Sequence, residues 1–233
     1  MFNLVTKCFY KKNNLNSLKL FKTFKNELLL SDQEIEVLDF GAGSKIFSSN
    51  KRKVSKIAKH AGISNNRAKL LYKLIQYFEP ENILEIGTSV GLSTAVMSIS
   101  NSKSKIISLE GCPETADIAK KIFEKYQFKN IQVIIGNFNN TLSKALKEKT
   151  FDFIYFDGNH TKKATLEYFK TSLTSIHNNS VLLFDDIHWN KEMEEAWTEI
   201  KNHPKVTVTI DTFQWGFVFF RKEQQKEHFT VRV

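Results

Sequence analysis

From Glu81 onward the chain alternates between two kinds of hydrophobic pattern. Near-continuous apolar runs of strand length fall at 82–87, 104–110, 130–135, 151–157, 180–186, 205–211 and 215–221. Stretches of helical character lie between most of them, at 91–100, 113–127, 139–149, 161–177 and 190–202. Strands that are apolar at almost every position are buried on both faces. Their regular alternation with helices predicts an α/β fold, a doubly wound, mostly parallel sheet of seven strands with helices on both sides. The last two runs, around Val206–Ile210 and Gly216–Phe220, are joined by too few residues for a crossover. They are expected to pair as an antiparallel hairpin or to lie side by side across a turn.

The first 80 residues follow a different pattern. Leu15, Leu18, Phe21, Phe24 and Leu28 recur at helical spacing, with Lys19, Lys22 and Lys25 elsewhere on the turn. Such a stripe packs on the chain's own core, on a second copy in a homodimer, or on a membrane surface. Asp39-Phe40-Gly41-Ala42-Gly43-Ser44 is glycine-rich but is followed by a basic stretch with no acid-ended strand, so it is taken as a turn. Residues 54–64 and 65–78 fit two helices, with Ser64 as N-cap of the second. The same residues fit a helix-turn-helix whose recognition helix would present Arg67, Lys69 and Lys73 to DNA. The chain divides into a basic, largely helical extension over 1–63 and a second unit over 64–233.

Charge sharpens that division. Residues 1–73 carry 15 Lys and Arg against five Asp and Glu, whereas residues 74–233 carry 19 against 20. The basic surface would attract nucleic acid, anionic lipid or an acidic substrate, or serve only as a solvated face. No apolar run approaches the ~20 residues of a membrane span. Cys8 and Cys112 are far apart and have no metal-type spacing, which suits a reducing, cytoplasmic setting.

Candidate chemistry begins at Asn82-Ile83-Leu84-Glu85-Ile86-Gly87-Thr88-Ser89-Val90-Gly91-Leu92-Ser93-Thr94. A buried strand, a tight turn and a helix N-terminus follow one another, with Gly87 and Gly91 where backbone can approach a ligand. The next strand ends at Glu110, 23 residues after Gly87, about where a doubly wound fold places a ribose-binding acid. These residues resemble the cofactor half of class I S-adenosylmethionine-dependent methyltransferases, and among them the metal-dependent O-methyltransferases of the catechol, caffeoyl-CoA and macrolide-sugar kinds. Ser89 stands where many class I enzymes carry glycine, which leaves the path of the turn open. A nicotinamide dehydrogenase would require G-x-G-x-x-G, and the middle glycine is missing. The resemblance covers about residues 64–221 and implies S-adenosylmethionine as cofactor. It places Glu110 on the ribose, Gly87, Ser89 and Gly91 in the turn, and Glu85 and Ser93 near the methionine end. Asn137 and Phe138 would flank the adenine.

Ligands of doubly wound sheets sit beyond the carboxyl ends of the strands. Asp157 ends one run and Asp185-Asp186 another. If those strands are neighbours, three carboxylates come within reach of one hard cation such as Mg²⁺. Asp157, before Gly158, and Asp186, before a helix, can instead be backbone caps. The related enzymes carry acids at these positions as metal ligands. His160, three residues beyond Asp157, corresponds to a histidine in the macrolide-sugar type and is the candidate base. His188 and Trp189 are expected on the substrate side. The resulting expectation is O-methylation of a small hydroxyl compound, to which the basic surface would add an anionic group, with nucleic-acid binding through 51–73 as the alternative.

Overall fold

A computed structural model describes residues 2–11, 18–38 and 49–233. The glycine-rich turn expected at 39–44 and Leu15 of the helical stripe lie outside the described residues.

The chain opens with a helical turn α1 (Phe2–Leu4) continued by a π-helical turn (Val5–Phe9), then α2 (Leu18–Leu29). A short antiparallel ribbon joins β1 (Glu34–Glu36) to β2 (Lys51–Lys53). Next come α3 (Val54–His60) and α4 (Asn65–Phe78), the latter capped by Ser64, whose hydroxyl accepts the Arg67 N–H at 3.3 Å. The alternating part follows as β3 (Asn82–Ile86), α5 (Leu92–Ser100), β4 (Lys105–Glu110), α6 (Pro113–Lys125), β5 (Ile131–Ile135) and α7 (Phe138–Glu148). It continues as β6 (Phe153–Phe156), α8 (Lys162–Ser172), β7 (Val181–Asp185), α9 (Lys191–Asn202), β8 (Val208–Asp211), β9 (Trp215–Phe219) and β10 (Glu227–Thr230).

Among the described residues the main sheet has eight strands in the order β10-β8-β9-β7-β6-β3-β4-β5. All seven expected strands are present, and the last two form the antiparallel hairpin. Strand β9 runs against both its neighbours, and the other pairs are parallel. The expected count of seven is corrected by β10. Its residues are mostly exposed, so this edge strand has no apolar run to announce it.

Alternate residues of the central strands point to opposite layers. Ile83, Tyr155, Leu183 and Phe217 face the side of α4, α5 and α6. Leu84, Ile86, Ile154, Phe156 and Phe184 face α7, α8 and α9. The N-terminal stripe joins the first of these cores: Leu18, Phe21, Phe24 and Leu28 are buried, and Phe24 meets Tyr126 at 6.1 Å between ring centroids. Burying each such side chain contributes about 1.5–3 kcal/mol. The apolar face of α2 is therefore covered by this chain itself rather than by a membrane surface. Helix α3 packs on α2 and α4 on α5, and the buried face of α4 carries Leu71, Leu74 and Ile75. Arg67, which a recognition helix would present to DNA, is turned inward. No described helix is long and apolar enough to cross a membrane.

Candidate active site

The turn after β3 is set by its backbone. Gly87, Ser89 and Gly91 have φ of 107°, 49° and 84°, all in the left-handed region. Ser89 thus adopts a conformation more natural to glycine. A Cβ on Gly87 would stand 2.2 Å from the Asp157 carbonyl oxygen, and one on Gly91 would stand 2.6 Å from the Phe123 ring. The glycines admit the end of β6 and the side of α6, a packing requirement beyond the ligand approach expected from the sequence.

The Glu110 carboxylate closes on this turn. It accepts the Ser89 N–H at 2.6 Å and the Cys112 N–H at 2.9 Å. Burial raises its pKa, and these bonds oppose the rise. Ser93 is buried in the first turn of α5. Past the end of β4, a cavity of about 320 Å³ is lined by Gly111, Asn137, Phe138, Asn159 and Tyr168. Asn137 also caps α7, accepting the Asn139 N–H at 3.0 Å, and Phe138 meets Tyr168 edge-on at 5.9 Å. The structure therefore brings Asn137 and Phe138 to a cavity beside the end of β4.

Glu85 lies fully buried beneath the turn. Its Oε2 accepts the hydroxyls of Thr94 and Ser108, both at 2.5 Å, while Oε1 has no protein partner. Burial pushes its pKa from 4.5 up to about 8, so the carboxyl is protonated at neutral pH. The folded state then holds a proton that the unfolded state releases above 4.5. Stability is therefore lost as pH rises through the interval between those values, and is fully present only below it. Glu85→Gln keeps the shape without the proton. Between pH 6 and 7 its stability relative to the parent should improve by about 1.4 kcal/mol, read from urea unfolding. A difference that does not move with pH would mean that Glu85 is ionised in the fold.

The second half of the site forms at the ends of β6 and β7. These strands are parallel neighbours with Phe156 opposite Phe184, which puts Asp157 beside Asp185. The condition for convergence of the acids is met, but a cation from the protein is already among them. The Arg67 guanidinium pairs with Asp185 Oδ1, which also accepts the Asp186 N–H at 2.7 Å. Asp185 Oδ2 accepts the Tyr155 hydroxyl at 2.9 Å. Arg67 lies over Trp215, 4.9 Å from the ring centroid. Burial favours the protonated form of Asp185, yet Arg67 and His160 outweigh it and hold the carboxyl below its ordinary range. Asp157 is pushed well up by burial and by Asp185, and Asp186 is pushed to about 7 by the same causes. Three acids share one guanidinium, and two of them are left short of positive charge.

His160 Nε2 stands 3.9 Å from Asp157 Oδ1, and its ring stacks on Trp189 at 6.1 Å. Burial lowers its pKa below 6.5, so the imidazole is neutral and can accept a proton at neutral pH. His188 is tied elsewhere, with Nε2 2.9 Å from Asp211 and Nδ1 3.3 Å from Glu194. Trp189, 41% exposed, is the half of that pair that stays over His160.

Oxygen donors of this kind suit a hard cation. Among the described residues, however, no three His, Cys, Asp or Glu side chains are disposed as a ligand set for a metal. The donor chemistry fits and the present pairing of Asp185 does not. Sequence reasoning missed Arg67, Tyr155 and Trp215 as members of the site. One signal was available: helical spacing puts Arg67 on the stripe of Leu71 and Leu74, the buried face of α4.

Known proteins resemble this chain in sequence and in fold. Residues 84–187 match a family model described as a methyltransferase domain. A catechol O-methyltransferase of Niastella koreensis is 30% identical over 142 residues, which is 59% of this chain and 63% of the relative. The match thus spans less than two thirds of that relative's length. Among solved structures, a Podospora anserina methyltransferase bound to S-adenosylhomocysteine superposes with a TM-score of 0.68 at 17% identity, covering 95% of each chain. An O-methyltransferase of Bacillus cereus in complex with S-adenosylhomocysteine gives 0.61 at 20% identity, covering 93% of this chain and 96% of that one. At these identities the superpositions establish a shared fold. The segment that carries the glycine turn, Glu110 and the carboxylate cluster, residues 84–187, is thus the part of the chain that resembles a methyltransferase domain.

Proposed function

We propose that this chain transfers a methyl group from S-adenosylmethionine to a hydroxyl oxygen of a small acceptor. The observation that carries the reading is the contact between the two halves of the site. Gly87 of the cofactor turn packs directly against the carbonyl of Asp157, the first acid of the cluster. A donor held at the turn would thus lie next to the acids and to His160.

In this reading Glu110 binds the ribose hydroxyls, and Asn137 and Phe138 flank the adenine in the cavity beside Gly111. Gly87, Ser89, Gly91 and Ser93 shape the turn and the helix start. Glu85, protonated and buried beneath the turn, would support it near the methionine end. S-adenosylmethionine supplies an electrophilic methyl on a sulfonium and leaves as S-adenosylhomocysteine when the acceptor oxygen displaces the sulfur. An alcohol or phenol is a poor nucleophile until it loses its proton, and His160, neutral at the working pH, takes that proton on a ring nitrogen. Asp157, 3.9 Å away, would orient the ring, and the ionised Asp185 would favour its protonated form. Asp157, Asp185 and Asp186 would hold a divalent cation such as Mg²⁺, whose contribution would be to lower the hydroxyl pKa.

The acceptor side is a groove of about 710 Å³ between α4, the β8–β9 turn and the C-terminal segment. Arg67, Lys69, Lys73 and Arg232 line it together with Leu70 and Phe213, which suits an acceptor with an apolar body and an anionic group. The two buried cysteines fit a reducing cytoplasm.

The direct test is incubation of the protein with methyl-labelled S-adenosylmethionine and cell extract. Label should enter a small-molecule fraction. Label confined to nucleic acid would overturn the reading in favour of a basic nucleic-acid surface. A second measurement addresses the ribose assignment. Glu110→Ala should weaken S-adenosylhomocysteine binding at least tenfold, or about 1.4 kcal/mol, since the variant loses both the ribose partner and the latch on the Ser89 N–H. Calorimetry giving unchanged affinity would remove Glu110 from the cofactor site.

A further inference from the structure

The acceptor groove and the carboxylate cluster meet at a single side chain. Arg67 lines the groove and pairs with Asp185. Asp185 is 4% exposed and the Arg67 side chain 21%. Its guanidinium is also stacked over Trp215, which meets Tyr155 edge-on at 6.0 Å. The Arg67 Nε is buried without a protein acceptor. A group with five donors that leaves a buried one unmade is held by charge and stacking rather than by a complete set of hydrogen bonds.

We propose that Arg67 is a built-in cation that competes with a divalent metal ion for the carboxylate cluster, so that the ion binds only when Arg67 leaves Asp185 for the groove. The proposal rests on the reading of Asp157, Asp185 and Asp186 as metal ligands. Its physical basis is that three of the roughly four lone-pair sites of the Asp185 carboxylate are already taken, one of them by a cation. Asp185 Oδ1 is taken by Arg67 and the Asp186 N–H, and Oδ2 by the Tyr155 hydroxyl. A dication held on the same acid would also stand within a few Å of the guanidinium, and the two would repel. Arginine keeps its charge at all working pH values, so it vacates the position only by moving. The long stem of Arg67 and the volume of the groove beside it give it somewhere to go.

The test is calorimetric titration of Mn²⁺ into the full chain as wild type, Arg67→Met and Arg67→Lys, with S-adenosylhomocysteine binding and thermal melting followed on the same samples. Arg67→Met should bind Mn²⁺ at least tenfold more tightly than wild type. Arg67→Lys, which keeps the charge but loses the planar stacking, should fall between them. If the methionine variant does not fold, the lysine variant carries the comparison, and affinity equal to wild type overturns the competition. Equal affinity in all three would likewise overturn it while leaving a metal site in place. Absence of Mn²⁺ binding in all three at millimolar concentration would overturn the competition and the metal reading together. Retained S-adenosylhomocysteine binding would then show that the methyl-transfer reading has not failed with them.

Discussion

Asp185→Ala is expected to destabilise the fold by about 3–5 kcal/mol, a penalty typical of breaking a buried ion pair from one side. The substitution leaves the Arg67 guanidinium largely buried against Trp215 without its carboxylate, and removes the acceptor of the Tyr155 hydroxyl. In a chain of this size the melting temperature should fall by roughly 10 °C. Adding Arg67→Met to the alanine variant should restore part of the loss, because the orphaned charge goes with it. A double-mutant cycle in urea measures the coupling directly. An alanine variant as stable as the parent, or a cycle that closes additively, would mean that Arg67 and Asp185 do not form a desolvated pair. The effect is independent of catalysis, so it separates the structural role of Asp185 from its proposed role as a ligand. It also sets the design of any activity test, since loss of turnover in this variant can follow from loss of fold.

His160→Gln is expected to lower kcat by about 100-fold or more, the contribution usual for a positioned general base. S-adenosylhomocysteine affinity should stay within about twofold, because His160 lies on the acid side of the site and not on the turn. The pH profile carries the stronger information. The base works when neutral, and burial sets its pKa below 6.5. The wild-type rate should therefore rise with pH through an inflection below that value and level off above it. Glutamine should abolish the inflection as well as the rate. An inflection that survives near 7 in the variant would belong to Asp186, whose carboxyl burial and Asp185 raise to about 7. Unchanged kcat in His160→Gln would remove the histidine from the mechanism.

Much of the site was legible before the fold. The glycine turn could be read because strand, glycines and helix start are contiguous, and the position of Glu110 beside it because the length of one helical crossover sets its distance from Gly87. The convergence of Asp157 and Asp185 required only that β6 and β7 be adjacent, which they are. The nearness of His160 to Asp157 followed from its place three residues on. The reason for the glycines was less legible. Gly87 and Gly91 are required by the Asp157 carbonyl and the Phe123 ring, contacts between distant segments.

The sequence by itself determined the order and kind of the elements from β3 to β9, because buried strands and amphipathic helices announce themselves by local periodicity. It also determined which residues stand at strand ends. It did not determine β10, an exposed edge strand whose pairing is supplied by β8 rather than by any apolar run. Nor did it determine that a helix read as a DNA reader or as a lead-in to β3 would send Arg67 into the acid cluster. That partnership joins residues 118 apart. Helical spacing could place Arg67 on the buried face of α4, but its partner depends on which strand end α4 is packed against, and that is a property of the assembled sheet.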